Sequence, residues 1–264
     1  MVTRWIRRPY QSARRWSSAL LEHRRLGVVR RRLTPIVRFL DEYRTTHPRA
    51  WAQLMVGALA LVAAAWSFGE IAEDVVGHEA LSVFDERLAR WLHARATPPL
   101  TRLMLVATEL GDWVVVTGLT LATAFFFTWT RRRQWLLALV LVVPGGALLN
   151  ELMKFAFQRA RPTLHNPILA LTGYSFPSGH TMTATLLYGF LAIFVFQVVR
   201  AWRLRVFAAL ISAILVAMVG LSRMYLGAHY LSDVLAAVAA GIVWLVLCLN
   251  TLETLRYRRA RRQP

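Results

Sequence analysis

Trp135-Leu-Leu-Ala-Leu-Val-Leu-Val-Val-Pro-Gly-Gly-Ala-Leu-Leu-Asn-Glu-Leu-Met153, closed by Lys154, is the stretch that decides the fold. It carries no charge before Glu151, and its apolar residues surround the helix instead of forming one stripe with a polar back. About 20 apolar residues cross the hydrocarbon core of a bilayer, so the run reads as a transmembrane helix. Five more runs of this kind lie at about 51–68, 112–130, 181–199, 206–221 and 234–251. The run at 206–221 is the shortest, and needs flanking residues or a thin local bilayer to complete it. Composition agrees: 56% hydrophobic and 17% charged residues, with mean hydropathy +0.43, are too apolar a mixture for a soluble domain of this length. The expected fold is all-α, an integral membrane bundle of six transmembrane helices.

Charge between the runs orients the bundle. The first fifty residues carry thirteen arginines against Glu22, Asp41 and Glu42, an excess that stays in the cytoplasm under the positive-inside rule. The connector at about 70–100 is acidic (Glu70, Glu73, Asp74, Glu79, Asp85, Glu86) and can cross. Arg131-Arg132-Arg133, the arginines of 200–205 and those of 256–262 all alternate onto the side of the N-terminus. The organisation expected is an Arg-rich cytoplasmic arm at 1–50, a six-helix domain at 51–251 and a basic cytoplasmic tail at 252–264. Neither Arg7-Arg8 nor Arg14-Arg15 is followed closely by an apolar stretch, so a twin-arginine signal is not indicated, and the charged region is too long for a secretory signal. Trp5, Trp16, Leu20 and Leu21 among the arginines suit an arm lying on an anionic membrane surface. Topology accounts for most of the net charge of +18, so no nucleic-acid partner is expected. Cys248 is the only cysteine and is expected to pack or face lipid.

Three short polar clusters stand beside these runs, all on the side away from the basic connectors. Lys154, the only lysine in the chain, precedes Arg161-Pro162, and the proline keeps helix from running through Arg161. Alone, Lys154 would merely snorkel to the interface. With Arg161 it makes a point charge beside a planar fork, two donors suited to one anion. Arg159 between them is the weaker candidate and is expected to meet lipid headgroups. In Pro177-Ser178-Gly179-His180, Ser178 fits a helix N-cap and Gly179 permits close backbone approach, so the helix N-terminus favours an anion. A cap alone explains Ser178 but not a histidine at the head of an apolar helix. In the third cluster Arg223 is a further phosphate donor, and His229 and Asp233 share a face if helix runs through both. An aspartate on one imidazole nitrogen fixes the tautomer and leaves the other nitrogen as nucleophile; a purely structural His-Asp pair is the plainer alternative.

Lys154-x6-Arg161-Pro162, Pro177-Ser178-Gly179-His180 and Ser222-Arg223-x5-His229-x3-Asp233 together resemble the three signature motifs of the type 2 phosphatidic acid phosphatase superfamily, in order and spacing, with every signature position filled. The motifs do not imply the Arg-rich arm. The resemblance implies a membrane lipid phosphatase with its site at the extracytoplasmic interface. His229 would take the phosphoryl group, Asp233 would orient it, and His180 would protonate the leaving oxygen and then activate water. Lys154, Arg161, Ser178, Gly179 and Arg223 would surround the phosphoryl oxygens. Such a cage stabilises charge by itself, so no metal and no cofactor is expected. The substrate would be a lipid phosphate in the bilayer: phosphatidate, phosphatidylglycerol phosphate or a polyprenyl diphosphate. A phosphotransferase with a lipid or sugar acceptor is the main rival, since the motifs read only the donor site. Six spans argue against a vanadate-dependent haloperoxidase, and an intact catalytic set argues against a lipid-binding scaffold. His23, His47, His78, His93 and His165 hold no motif position and are expected at the surface.

Overall fold

The computed structural model describes the backbone of residues 48–77, 80–164, 168–169 and 171–260, and within these the side chains from Met55 to Glu253. The arm before Pro48, with Trp5, Trp16, Leu20 and Leu21, lies outside the described residues, as do His23, His47, His78, His165 and the side chains of the basic tail after Glu253. The chain divides into two compact units, Met1–Val56 and Gly57–Pro264, and the core and the polar clusters lie in the second.

Eight helices occur among the described residues: α1 Pro48–Gly77, α2 Ala80–Ala94, α3 Pro98–Glu109, α4 Trp113–Trp129, α5 Arg133–Phe157, α6 Gly179–Val198, α7 Trp202–Tyr225 and α8 Leu231–Ala260. Among the described residues six segments are long and apolar enough to cross a membrane, namely Met55–Gly77, Pro98–Trp129, Arg133–Phe157, Gly179–Val198, Trp202–Tyr225 and Leu231–Glu253. Each overlaps one of the six runs read from the sequence.

The differences lie at the helix ends. The short run at 206–221 is completed by flanking residues, because α7 continues through Arg203, Arg205, Ser222 and Arg223. Hydropathy falls where a charge enters the window, but the backbone stays helical if the charge finds partners. Arg205 finds them in the carbonyl of Val199, 2.6 Å from its Nε, and in the Phe196 ring 4.9 Å from its guanidinium. The acidic connector at 70–100 is mostly helix. Its middle part, α2, is amphipathic and buries Asp85 and Ala89, which lie one turn apart.

α6 is the centre of the bundle. Met182, Ala184, Leu186, Leu187 and Phe190 are fully buried against Leu139 and Val142 of α5, Val219 of α7 and Ala237 of α8. Near the far end, Phe127 of α4 and Trp135 of α5 meet Phe194 edge-on, with ring centroids 4.9 and 5.0 Å apart, a geometry worth about 0.5–1.5 kcal/mol per pair beyond burial. Outward, Leu121, Phe125, Leu148, Leu210 and Ile214 stay exposed, an apolar surface suited to lipid tails. Cys248 is half-buried and packs against the core, as expected of it.

Between α3 and α4 the chain turns at Gly111, pressed against the first turn of α6. A Cβ at this position would stand 2.6 Å from Val219 and 2.8 Å from the His180 carbonyl, so only glycine fits. Asp112 follows and caps α4, its Oδ1 accepting from the Val114 amide at 2.8 Å. A glycine without a side chain and a capping aspartate thereby bring a carboxylate to the head of α6.

Candidate active site

Up-and-down connectivity places the end of α5, the head of α6, the end of α7 and the start of α8 at one end of the bundle. Every motif residue is there. The connector from Gln158 to Ser178 runs between α5 and α6 and brings Arg159 and Arg161 to the same place.

His229 is 2% exposed, in the short link between α7 and α8. Helix does not run through His229 and Asp233, contrary to the helical-face reading. α7 ends at Tyr225, and the amides of Ala228 and His229 close it by donating to the Arg223 carbonyl at 3.0 and 3.2 Å; α8 begins at Leu231. The two side chains still meet, with His229 Nδ1 3.3 Å from Asp233 Oδ2. Asp233 can reach back because it sits in the first turn of α8, where the same oxygen accepts from the Tyr230 amide at 2.9 Å and caps the helix. On the other edge of the ring, Nε2 stands 3.4 Å from Arg161 Nη1. A guanidinium only donates and a carboxylate only accepts, so the tautomer that satisfies both carries its hydrogen on Nδ1 and turns the unprotonated Nε2 lone pair toward Arg161.

Burial holds the His229 imidazole below its usual pKa; the Asp233 carboxylate opposes this, and the charges of Arg223 and Arg161 add to it. The ring is therefore neutral near pH 7. Arg161 is itself lowered by burial, with Asp233 opposing. Its Nη1 donates to the Ala228 carbonyl at 2.9 Å and its Nε to the Thr172 and Gly173 carbonyls at 3.3 and 3.2 Å, which fixes the fork beside the histidine.

Arg223, in the last turn of α7, is buried. One nitrogen donates to Thr108 Oγ1 at 3.0 Å, and Nε has no hydrogen-bond partner among the described residues. A buried charged donor without a partner is costly, and an anion is the natural remedy. His180 Nε2 lies 3.7 Å from Asp112 Oδ2. His180 follows Ser178 by two residues, and the Ser178 amide donates to the Asp233 carbonyl at 3.0 Å, so both motif histidines stand at the same end of the bundle.

Lys154 Nζ pairs with Glu151 at 2.7 Å, and a Cβ on Gly179 would stand 3.3 Å from that nitrogen and 3.2 Å from Asn150 Oδ1. The ammonium thus lies close against the backbone of the second motif, so that a side chain at 179 would have to push it aside. Ser178 occupies the N-cap position of α6, but its hydroxyl does not cap. It pairs with Thr181 Oγ1 at 3.0 Å, which leaves the first amides of α6 open.

Arg159 does not meet lipid headgroups, as the sequence reading had it. Its side chain is 13% exposed, and Nη1 donates to Asp233 Oδ1 and Ser232 Oγ, each at 2.6 Å, while Nη2 donates to Asp85 Oδ2 at 2.9 Å. Two carboxylates outcompete solvent for this guanidinium. Sequence reasoning also passed over Asp112, Thr108 and Asp85. Asp112 left a signal, an aspartate directly before an apolar run; Asp85 and Thr108 left none, because their partners are far away in sequence.

The sequence pattern described as the PAP2 superfamily matches residues 134–257, a stretch that spans all three motifs and α5 to α8. Phosphatidylglycerophosphatase B of Bacillus subtilis (strain 168) is 30% identical over 171 residues, covering 62% of this chain and 80% of that protein. The chain belongs to the PAP2 superfamily. Among PAP2 proteins it falls in the transmembrane lipid phosphatase branch, as a multi-pass membrane protein. The crystal structure of the first transmembrane PAP2 type phosphatidylglycerolphosphate phosphatase from Bacillus subtilis superposes on it with a TM-score of 0.64 at 27% identity, covering 74% of this chain and 96% of that one. The crystal structure of Aquifex aeolicus LpxE has a TM-score of 0.51 at 22% identity, covering 63% and 95%, a likeness of PAP2 fold alone.

Proposed function

We propose that this membrane PAP2 lipid phosphatase cleaves a phosphomonoester of a glycerophospholipid through a phosphohistidine at His229. The observation that carries the reading is His229 itself, with Nδ1 on Asp233 and an unprotonated Nε2 facing the Arg161 fork. A nucleophile and a ligand for phosphoryl oxygens stand side by side. In the first step Nε2 attacks phosphorus, the bond to the lipid oxygen breaks, and His180 gives that oxygen its proton. In the second, water attacks the phosphohistidine, His180 takes the water's proton, and inorganic phosphate leaves. Lys154, Arg161, Arg223, Ser178 and the Gly179 amide bind the equatorial oxygens, where charge stabilisation supplies most of the rate. The cage is cationic and would repel a metal ion, so the proposed chemistry needs none.

Phosphatidylglycerol phosphate is the substrate favoured, on the strength of the Bacillus subtilis relatives. The site is assigned to the extracytoplasmic face by the alternation of basic connectors, with the arm at 1–50 and the tail at 252–264 in the cytoplasm. Phosphate release from phosphatidylglycerol phosphate, phosphatidate and a polyprenyl diphosphate by purified protein tests the proposal. The first should be hydrolysed fastest, and the absence of release from all three would refute a phosphatase.

A further inference from the structure

Asp85 belongs to none of the motifs and lies on α2, far from them in sequence, yet it is 1% exposed. Its Oδ1 accepts from the Ser232 amide at 3.1 Å, and its Oδ2 accepts both from the Ser232 hydroxyl and, at 2.9 Å, from Arg159 Nη2. Arg159 in turn donates through Nη1 to Asp233 Oδ1 at 2.6 Å, and its guanidinium lies 4.4 Å from the centre of the Tyr230 ring. The links therefore run Asp85, Arg159, Asp233, His229, each a hydrogen bond between groups of opposite charge or between Asp233 and the imidazole.

This arrangement divides one planar fork between two buried carboxylates. A guanidinium held by Asp233 alone could turn about that contact. Held at its other nitrogen by Asp85, it cannot turn without breaking a charged hydrogen bond, and its face is covered by Tyr230. Arg159 thus claims Oδ1 of Asp233 and leaves Oδ2 for His229 Nδ1 and the Tyr230 amide. Because Asp85 also grips Ser232, the residue next to Asp233, it fixes both backbone and side chain at the start of α8.

We propose that Asp85 is a positioning residue for the phosphoryl transfer, acting through Arg159 to hold Asp233, and hence the His229 imidazole, in the attacking orientation. The inference rests on the reading of His229 as nucleophile. The alternative is a staple that merely joins α2 to α8.

The test is steady-state kinetics on full-length protein with phosphatidylglycerol phosphate, comparing Asp85→Asn, Arg159→Gln, the double variant and His229→Ala. A positioning chain predicts folded Asp85→Asn protein with kcat down about tenfold or more and KM within about threefold of the parent, since the loss is felt in the transition state. The double variant should fall no more than about threefold below Arg159→Gln, because both substitutions cut the same chain. Should Asp85→Asn not yield folded protein, Arg159→Lys serves. It keeps a charge between the carboxylates but not the divided fork, and should show the same kcat loss at constant KM. A kcat within twofold of the parent in either folded variant, or additive losses in the double, would overturn the inference. Full activity in His229→Ala would instead sink the nucleophile reading on which it stands.

Discussion

The backbone amide of Ser178 donates to the carbonyl of Asp233 at 3.0 Å, so the N-cap of α6 is bonded directly to the first turn of α8. The residue that opens the helix carrying His180 is thereby tied to the residue that orients His229. The two histidines cannot drift apart without breaking a backbone hydrogen bond. In-line displacement at phosphorus demands this constancy, because the attacking and leaving groups must stay on opposite sides of one small anion.

If His229 is the nucleophile, its loss cannot be repaired by the cage. His229→Ala should lower kcat by at least roughly a thousandfold, and labelled substrate quenched in acid-free conditions should leave label on the parent protein only. Label retained on the Ala variant would move the nucleophile elsewhere.

The acid limb of the kcat/KM profile should follow His229. Burial lowers this histidine, Asp233 opposes, and the nearby charges of Arg223 and Arg161 lower it further, so the nucleophile stays neutral below the ordinary histidine value of about 6.5. Removing a positive neighbour favours the protonated ring. Arg161→Ala should therefore move the acid limb to higher pH as well as slow the enzyme, and a limb that stays put or moves down would contradict the assignment.

What the sequence made legible follows from locality. Lys154, Arg161, Ser178, His180, Arg223, His229 and Asp233 lie in three short stretches, and apolar runs place all three at ends of helices on one side, so their meeting could be read without coordinates. The ends themselves were harder. Arg203 and Arg223 look like span boundaries by hydropathy, yet α7 holds both. Arg159 looks like a surface charge until Asp85 is known to face it, 74 residues away. The His229–Asp233 spacing suggests a helical face, while the contact arises from a capping carboxylate reaching back over a helix start. Such relations depend on tertiary approach, which no periodicity encodes.

Gly179 offers a test of crowding. Because a Cβ there would press on Lys154 Nζ at 3.3 Å and Asn150 Oδ1 at 3.2 Å, Gly179→Ala should displace the lysine ammonium, the flexible end of its side chain, and leave the bundle folded. Activity is expected to drop by about tenfold to a hundredfold, in line with loss of a charge-assisted contact worth roughly 1.5–3 kcal/mol. A variant as active as the parent would show that Lys154 does not act where it lies against α6.

Arg223 separates transition-state binding from ordinary substrate affinity. Vanadate takes the trigonal bipyramidal shape of the transferring phosphoryl group, so it should inhibit far more tightly than product phosphate. The buried Nε of Arg223 has no hydrogen-bond partner among the described residues, so it is well placed to bind an oxygen that gains charge during transfer. Arg223→Lys keeps the charge but removes the planar fork. If the fork serves the transition state, kcat/KM and vanadate affinity should weaken together, by roughly tenfold or more each, with KM little changed. A rise in KM alone, with vanadate inhibition intact, would place Arg223 in ground-state binding and take the equatorial-oxygen role from it.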